Sequence, residues 1–190
     1  FYKNKLKKIP RFAVTGLNPH CESNFNNSEE DKIIKPAITE DNRGNIWTSF
    51  LKDEIEKYLP NGLCFKHDKF SQSKKNVLRG IHGDEKSWQL VTCVYGDIFQ
   101  VVVDCRKESS TYKKSESFSI DGENLVSILI PLGFGNAYCV KSEKAVYHYK
   151  LAYKGEYIDA DEQFSYKWND PLFNIKWPTE TPILSDRDRK

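Results

Sequence analysis

Between Trp47 and Leu59 the apolar positions Leu51, Ile55, Tyr58 and Leu59 recur at helical spacing. Ser49 stands at the N-cap position and Pro60 and Gly62 lie beyond the end, so this pattern predicts a helix. From Leu63 onward the rhythm changes to short β-rich runs separated by turn residues. Val91–Tyr95 and Ile98–Val103 flank Gly96-Asp97, a two-residue link that predicts a tight hairpin. Asp121-Gly122 and Pro131 bracket a further strand, Leu125–Ile130, and Ala145–Tyr153 supplies one rich in Tyr and Val. Ahead of all these, Arg11–Thr15 reads as a short strand, followed by a turn at Gly16–Pro19 and a polar, Asn-rich stretch to Asn27. Ser28 then caps a short helix with Glu29, Glu30 and Asp31 in its first turn, and Pro36 stops it. Regularly spaced strands with little helix predict a sandwich or barrel, with a small αβ piece at the N-terminus.

Composition narrows the class. The chain has 190 residues, 38% hydrophobic and 29% charged, which suits one domain able to bury a core without disulfides or a structural metal. A formal net charge of +2 with interspersed signs makes no large basic field, so nucleic acid is not an expected partner. No apolar run approaches the roughly 20 residues that cross a bilayer, and no leader-like segment opens the chain, so a cytoplasmic protein with no membrane partner is expected. The five cysteines are widely spaced without a Cys-x-x-Cys pair and read as reduced, mostly buried residues. Met is absent even at position 1, where the chain opens with Phe1, so a processed chain or a piece of a longer reading frame is expected.

Four histidines, His20, His67, His82 and His148, are available for chemistry, and a structural role is the ordinary expectation for each. His82 stands apart because it lies in Asn76-Val77-Leu78-Arg79-Gly80-Ile81-His82-Gly83, beside a cation at the end of an apolar strand. A histidine held on a rigid strand next to an arginine suits a base acting on an anionic substrate. Metal-binding cupin barrels usually present two histidines one residue apart and a carboxylate soon after. Here that stretch offers only His82 and Asp84, so no metal is expected.

Asp41-Asn42-Arg43-Gly44, then Ser71-Gln72-Ser73-Lys74-Lys75-Asn76 running on to His82, then Val101–Thr111, resemble the dTDP-4-dehydrorhamnose 3,5-epimerase family. The order continues through Ile130-Pro131-Leu132-Gly133-Phe134, Tyr149-Lys150, Trp168-Asn169-Asp170-Pro171, Ile175-Lys176-Trp177-Pro178 and Leu184–Asp188. The resemblance covers residues 38–190, taken as the epimerase domain. It implies an all-β fold, a cupin-type double-stranded β-helix (jelly-roll) barrel, usually a homodimer. The implied substrate is a nucleotide-diphosphate 4-keto-6-deoxy sugar for surface polysaccharide synthesis, handled without metal or cofactor. His82 matches the family's base, Asp188 the carboxylate that orients it, and Tyr149 the proton donor on the other face of the sugar. Arg43 and Arg79 match positions contacting the nucleotide sugar, and His67, Asp68 and Arg187 match further substrate-side positions. His148 alternates with Tyr149 and is expected to face away.

Three positions depart from the family pattern. Gln89 stands where a lysine is common, Asn136 replaces a second active-site histidine, and Thr48 stands where a glutamate is frequent. Gln89 and Asn136 remain candidate substrate contacts, since a neutral amide donates a hydrogen bond to a developing oxyanion with less stabilisation than a charged donor gives. The departures resemble a divergent branch similar to GDP-4-keto-6-deoxy-heptose epimerases, which implies inversion at C3 alone as one outcome. A 3,4-ketoisomerase of the same barrel type and a non-catalytic sugar-nucleotide-binding barrel are the rival readings.

Residues 1–37 form a separate segment in this reading. Ile9–Glu22 and Glu29–Ile38 resemble an internal piece of 4-hydroxythreonine-4-phosphate dehydrogenase, in which the residue matching His20 is a metal ligand. The other ligands of that family have no counterpart in this sequence, so His20 is expected to bind no catalytic metal.

Overall fold

The computed structural model of the chain describes residues 13–14 and 36–189. Two five-stranded sheets face each other. One has the order β1 (Ala13–Val14), β9 (Ser127–Ile130), β6 (Trp88–Tyr95), β11 (Lys144–Ala152), β4 (Phe65–Lys74). The other runs β12 (Phe164–Ser165), β5 (Leu78–Gly83), β10 (Phe134–Val140), β7 (Asp97–Asp104), β8 (Ser115–Asp121). A separate hairpin joins β2 (Ile38–Asp41) to β3 (Gly44–Trp47). Among the described residues every strand pairing is antiparallel except β1 with β9, and an isolated parallel bridge joins Val77 to Ile183. The double-sheet barrel matches the expected all-β jelly roll. The expected N-terminal helix, His20 and Cys21 lie outside the described residues.

Strand β7 shows why these sequences read as nearly continuous apolar runs instead of clean alternation. Ile98, Gln100 and Val102 point between the sheets, where Ile98 and Val102 join Val91, Ile128, Phe134 and Tyr147 in the central core. Val101 and Val103 face the other way with Phe99 and are also buried, under Phe173, Ile175 and Trp177 of the C-terminal stretch. The outer face of the first sheet is covered in turn by Ile55 and Leu59, packed with Leu90, Leu129 and Ala152. Each such side chain contributes about 1.5–3 kcal/mol by leaving water, so both faces of each sheet add to the core.

Three local expectations are corrected. The helix expected over residues 47–59 is a single turn, α1 (Lys52–Ile55), followed by a 3₁₀ turn, Glu56–Tyr58. Leu51, not Ser49, sits at its N-cap and makes no side-chain cap. The Glu56 carboxylate accepts from Phe65 N at 2.9 Å and ties the segment to β4, and only Ile55 and Leu59 of the predicted face are buried. The strand expected from Leu125 begins at Ser127, because Leu125 is left-handed at φ 49°.

Gly96-Asp97 does not close a hairpin. Strands β6 and β7 lie in opposite sheets, so the link carries the chain over the barrel edge. Gly96 has φ +85°, and a Cβ there would lie 2.3 Å from Lys144 O, so only glycine permits the crossing. Asp97 N donates to Ser142 Oγ at 2.9 Å and Gly122 N to Gly96 O at 3.0 Å, which holds the corner.

Candidate active site

In a regular strand, residues three apart face opposite sides, yet Arg79 and His82 of β5 line one cavity of about 320 Å³. The pairing with β10 explains this. Asn136 is opposite His82 while Tyr138 is opposite Arg79, so β5 carries one extra residue. Gly80, at φ +116°, supplies this bulge, and a Cβ there would lie 2.5 Å from both Ala137 Cβ and Asn136 O. A bulge beside a cavity re-aims side chains, and here it brings the imidazole and the guanidinium to the same wall.

Asp188 approaches His82 from the chain's tail. Ile183 N donates to Asn76 O at 2.8 Å and Leu78 N to Ile183 O at 3.0 Å, so the tail runs against the start of β5. Asp188 Oδ1 lies 2.6 Å from His82 Nε2. The distance is that of a hydrogen bond, although the ring N–H is turned off the oxygen's axis and Nε2 has no aligned partner. The other Asp188 oxygen accepts from Ser185 Oγ at 2.7 Å, and Oδ1 also accepts from Gly80 N at 3.3 Å. Burial works to raise the Asp188 carboxyl, but His82, Ser185 and the Gly80 amide outweigh it and hold it below the usual carboxylate range. An ionised Asp188 beside the imidazole can orient the ring and stabilise an imidazolium.

Tyr149 faces the cavity from the other sheet, on β11. Burial raises its phenol above the ordinary value of 10; Lys69 and Arg79 pull it back, while Tyr157 and Tyr138 push it up. The phenol is therefore protonated at neutral pH, in the state an acid needs. Base and acid candidates thus stand on opposite walls.

Three cations line the same cavity: Lys69, Arg79 and Arg187. Their polar contacts are neutral, with Arg79 Nε on Ser73 Oγ at 3.1 Å, Lys69 Nζ on Tyr157 OH at 2.5 Å and the Arg187 guanidinium on Gln163 Oε1 at 3.4 Å. Among the described residues no carboxylate pairs with these three cations, an arrangement that suits an anionic ligand such as a diphosphate. Behind the wall runs a chain of amides. Asn136 Nδ2 donates to Gln89 Oε1 at 2.9 Å, and Gln100 Nε2 donates to Asn136 Oδ1 at 2.7 Å.

Seven of the ten residues singled out in the sequence meet in this cavity: His82, Asp188, Tyr149, Arg79, Gln89, Asn136 and Arg187. Three do not. Asp68 is corrected to the outer face of β4, where it accepts from Lys150 Nζ at 2.6 Å and contacts His148 Nε2 at 2.8 Å. Lys150 and His148 flank Tyr149 and so point away from the cavity, as expected for His148. His67 is on the inner face but packs edge-on against Tyr157 at 4.7 Å and does not line the cavity. Arg43 lies on the β2–β3 hairpin, 84% exposed and paired with Asp41. Sequence reasoning missed Lys69, Tyr157 and Gln100. Lys69 shares period-2 parity with Ser71 and was recoverable, whereas Tyr157 sits on a loop with no periodicity to report it.

Among the described residues, no cluster of three or more His, Cys, Asp or Glu side chains is placed to hold a metal ion, and no helix is long and apolar enough to cross a membrane. Residues 28–190 match the model of the dTDP-4-dehydrorhamnose 3,5-epimerase family. The dTDP-4-dehydrorhamnose 3,5-epimerase of Shigella flexneri is 35% identical over 159 residues, spanning 82% of this chain and 86% of that protein. A dTDP-4-dehydrorhamnose 3-epimerase of Streptomyces niveus is 33% identical, spanning 82% of this chain and 75% of that one. The crystal structure of the Legionella pneumophila dTDP-6-deoxy-D-glucose-3,5-epimerase in complex with dTDP-4-keto-L-rhamnose is similar at 35% identity and a TM-score of 0.76, covering 85% of this chain and 87% of that one. The chain therefore belongs to the dTDP-4-dehydrorhamnose 3,5-epimerase family and is an isomerase of the carbohydrate epimerase class.

Proposed function

We propose that this chain inverts C3, or C3 and C5, of a nucleotide-diphosphate-linked 4-keto-6-deoxy sugar, with His82 as base and Tyr149 as acid. The observation that carries the reading is the His82–Asp188 approach on one wall of a cavity whose opposite wall presents Tyr149. The C4 ketone acidifies the hydrogens on its two neighbouring carbons. His82 removes one as a proton and becomes an imidazolium, which Asp188 stabilises; the electron pair left behind moves onto the C4 oxygen as an enolate. Tyr149 returns a proton to the same carbon from the opposite side, and the enolate collapses to the ketone with that centre inverted. Substrate and product have the same oxidation state, so the balance calls for no redox cofactor. Lys69, Arg79 and Arg187 hold the diphosphate, and their charge offsets its two negative phosphates.

The working assembly is a homodimer. Every residue of the β2–β3 hairpin except Trp47 is exposed, including Ile46 at 71%, and a hairpin with bare isoleucines calls for a covering surface. Arg43, at its tip, is outside its own chain's cavity and reaches the nucleotide sugar held by the partner.

Incubation with dTDP-4-keto-6-deoxyglucose or its GDP-linked counterpart in heavy water tests the reading. Deuterium at C3 alone identifies single inversion, and deuterium at C3 and C5 identifies double inversion. A displaced carbonyl identifies a ketoisomerase, and no incorporation with retained nucleotide binding identifies a binding protein; either result overturns the proposal.

A further inference from the structure

Proton removal from carbon leaves negative charge on the C4 oxygen, and the cavity wall must meet it. We infer that Gln100, a buried residue behind that wall, sets the direction of an amide chain so that Gln89 and Asn136 present N–H donors to the C4 oxygen as an uncharged oxyanion hole. The inference rests on the epimerase reading and adds the groups that stabilise its enolate.

The two ends of an amide have nearly the same shape, so its direction is decided by its neighbours. Gln100 Nε2 lies 3.0 Å from Val101 O and 2.9 Å from Ala137 O. Peptide oxygens only accept, so this end of Gln100 is the NH₂. Its other end is then Oε1, which accepts from Tyr147 OH at 2.8 Å. The same Nε2 lies 2.7 Å from Asn136 Oδ1, so its two hydrogens serve three oxygens with one hydrogen shared, and Tyr147 OH also approaches that Asn136 oxygen at 3.2 Å. Asn136 therefore turns its oxygen inward and its Nδ2 toward Gln89 Oε1, 2.9 Å away. With its oxygen engaged, Gln89 has only Nε2 left to offer. Both residues line the cavity, and Gln89 Nε2 has no protein partner among the described residues. Reversing any one amide sets NH₂ against NH₂ or oxygen against oxygen, so two backbone carbonyls dictate the direction of the whole chain.

Gln100 is fully buried and Tyr147 nearly so, and neither carries charge. The donors are thus fixed before substrate arrives, without the desolvation cost of burying an ion. Gln89 and Asn136 touch the reacting oxygen; Gln100 and Tyr147 are positioning residues.

The test uses the full chain with dTDP-4-keto-6-deoxyglucose and its GDP-linked counterpart in heavy water, reading deuterium at C3, together with ¹⁵N NMR of the side-chain amides. Gln89→Glu replaces the donor by an oxygen of the same shape and lowers kcat about 10²- to 10³-fold, the usual cost of losing one oxyanion-hole donor. Gln89→Lys restores a donor and keeps kcat within about tenfold of the parent. Gln100→Glu cannot donate to Asn136, so Asn136 turns over and Gln89 follows. Its kcat falls about 10²-fold with KM within about threefold. In the parent, the Gln100 NH₂ is protected from solvent exchange and the Gln89 NH₂ is not; in Gln100→Glu the Gln89 NH₂ becomes protected. Parental kcat in Gln89→Glu or Gln100→Glu overturns the inference, as does a protected Gln89 NH₂ in the parent. A parent protein that exchanges nothing from either sugar nucleotide overturns the epimerase reading instead, and the amide direction is still decided by NMR.

Discussion

Asp188 Oδ1 sits 2.6 Å from His82 Nε2, and this approach ties the last turn of the chain to the bulged strand β5. The carboxylate serves two ends at once. It accepts from Ser185 and Gly80, which secures the tail, and it stands ready for the imidazolium that forms when His82 takes a proton. Removing its charge while keeping its shape should separate the two roles.

Asp188→Asn keeps the volume and the bond from Ser185 but cannot stabilise an imidazolium. Its kcat for C3 exchange should fall about 10²-fold or more, with KM within about threefold, in initial-rate assays. Equal losses in kcat and substrate affinity would assign Asp188 a purely structural part.

The Asp188 carboxyl is held below its ordinary 3.8, so its stabilising contribution is complete above that value and is lost as pH falls through the lower, folded value. Urea midpoints should therefore drop below about pH 4 in the parent and drop less steeply in Asp188→Asn. Asp104, fully buried and held far down by Arg106, Ser109 and Thr111, loses stability over the same acid range in both proteins. The difference between the two curves isolates Asp188, and superimposable curves would contradict the assignment.

Tyr149→Phe removes the proton donor and leaves the base. His82 can then return a proton only to the face it came from. The variant should wash deuterium into C3 while forming at most about a hundredth of the inverted product, read by NMR of recovered sugar. Inversion at the parental rate would mean that another group delivers the proton.

Gly80→Ala places a Cβ 2.5 Å from Ala137 Cβ and Asn136 O at a backbone angle of φ +116°. Strain and overpacking together should cost about 2–4 kcal/mol in urea unfolding. His82 and Arg79 should no longer share a wall, so kcat should fall as well.

Much of this was legible before any coordinates. Period-2 alternation puts Tyr149 opposite in facing to His148, and the ordered motifs bring out His82, Arg79, Asp188 and Arg187. What stayed hidden depends on pairing between distant segments. Gly96-Asp97 has hairpin chemistry, but β6 pairs with β9 and β11 and β7 with β8 and β10, so the link became a crossing. The motif puts Asp68 on the substrate side, whereas alternation along β4 turns it away from Lys69 and Ser71 to pair with Lys150 across the β4–β11 ladder. The direction of the Gln89–Asn136–Gln100 chain was hidden too, since two backbone carbonyls determine it.

His82→Ala, assayed for C3 exchange in heavy water and for dTDP or GDP affinity by calorimetry, is the most direct measurement. The imidazole acts in the transition state and the nucleotide is held by cations elsewhere in the cavity. Exchange should therefore vanish into background while the nucleotide Kd stays within about threefold of the parent. Exchange surviving at a tenth or more of the parental rate, about 1.4 kcal/mol or less in barrier height, would remove His82 from the chemistry and contradict the account.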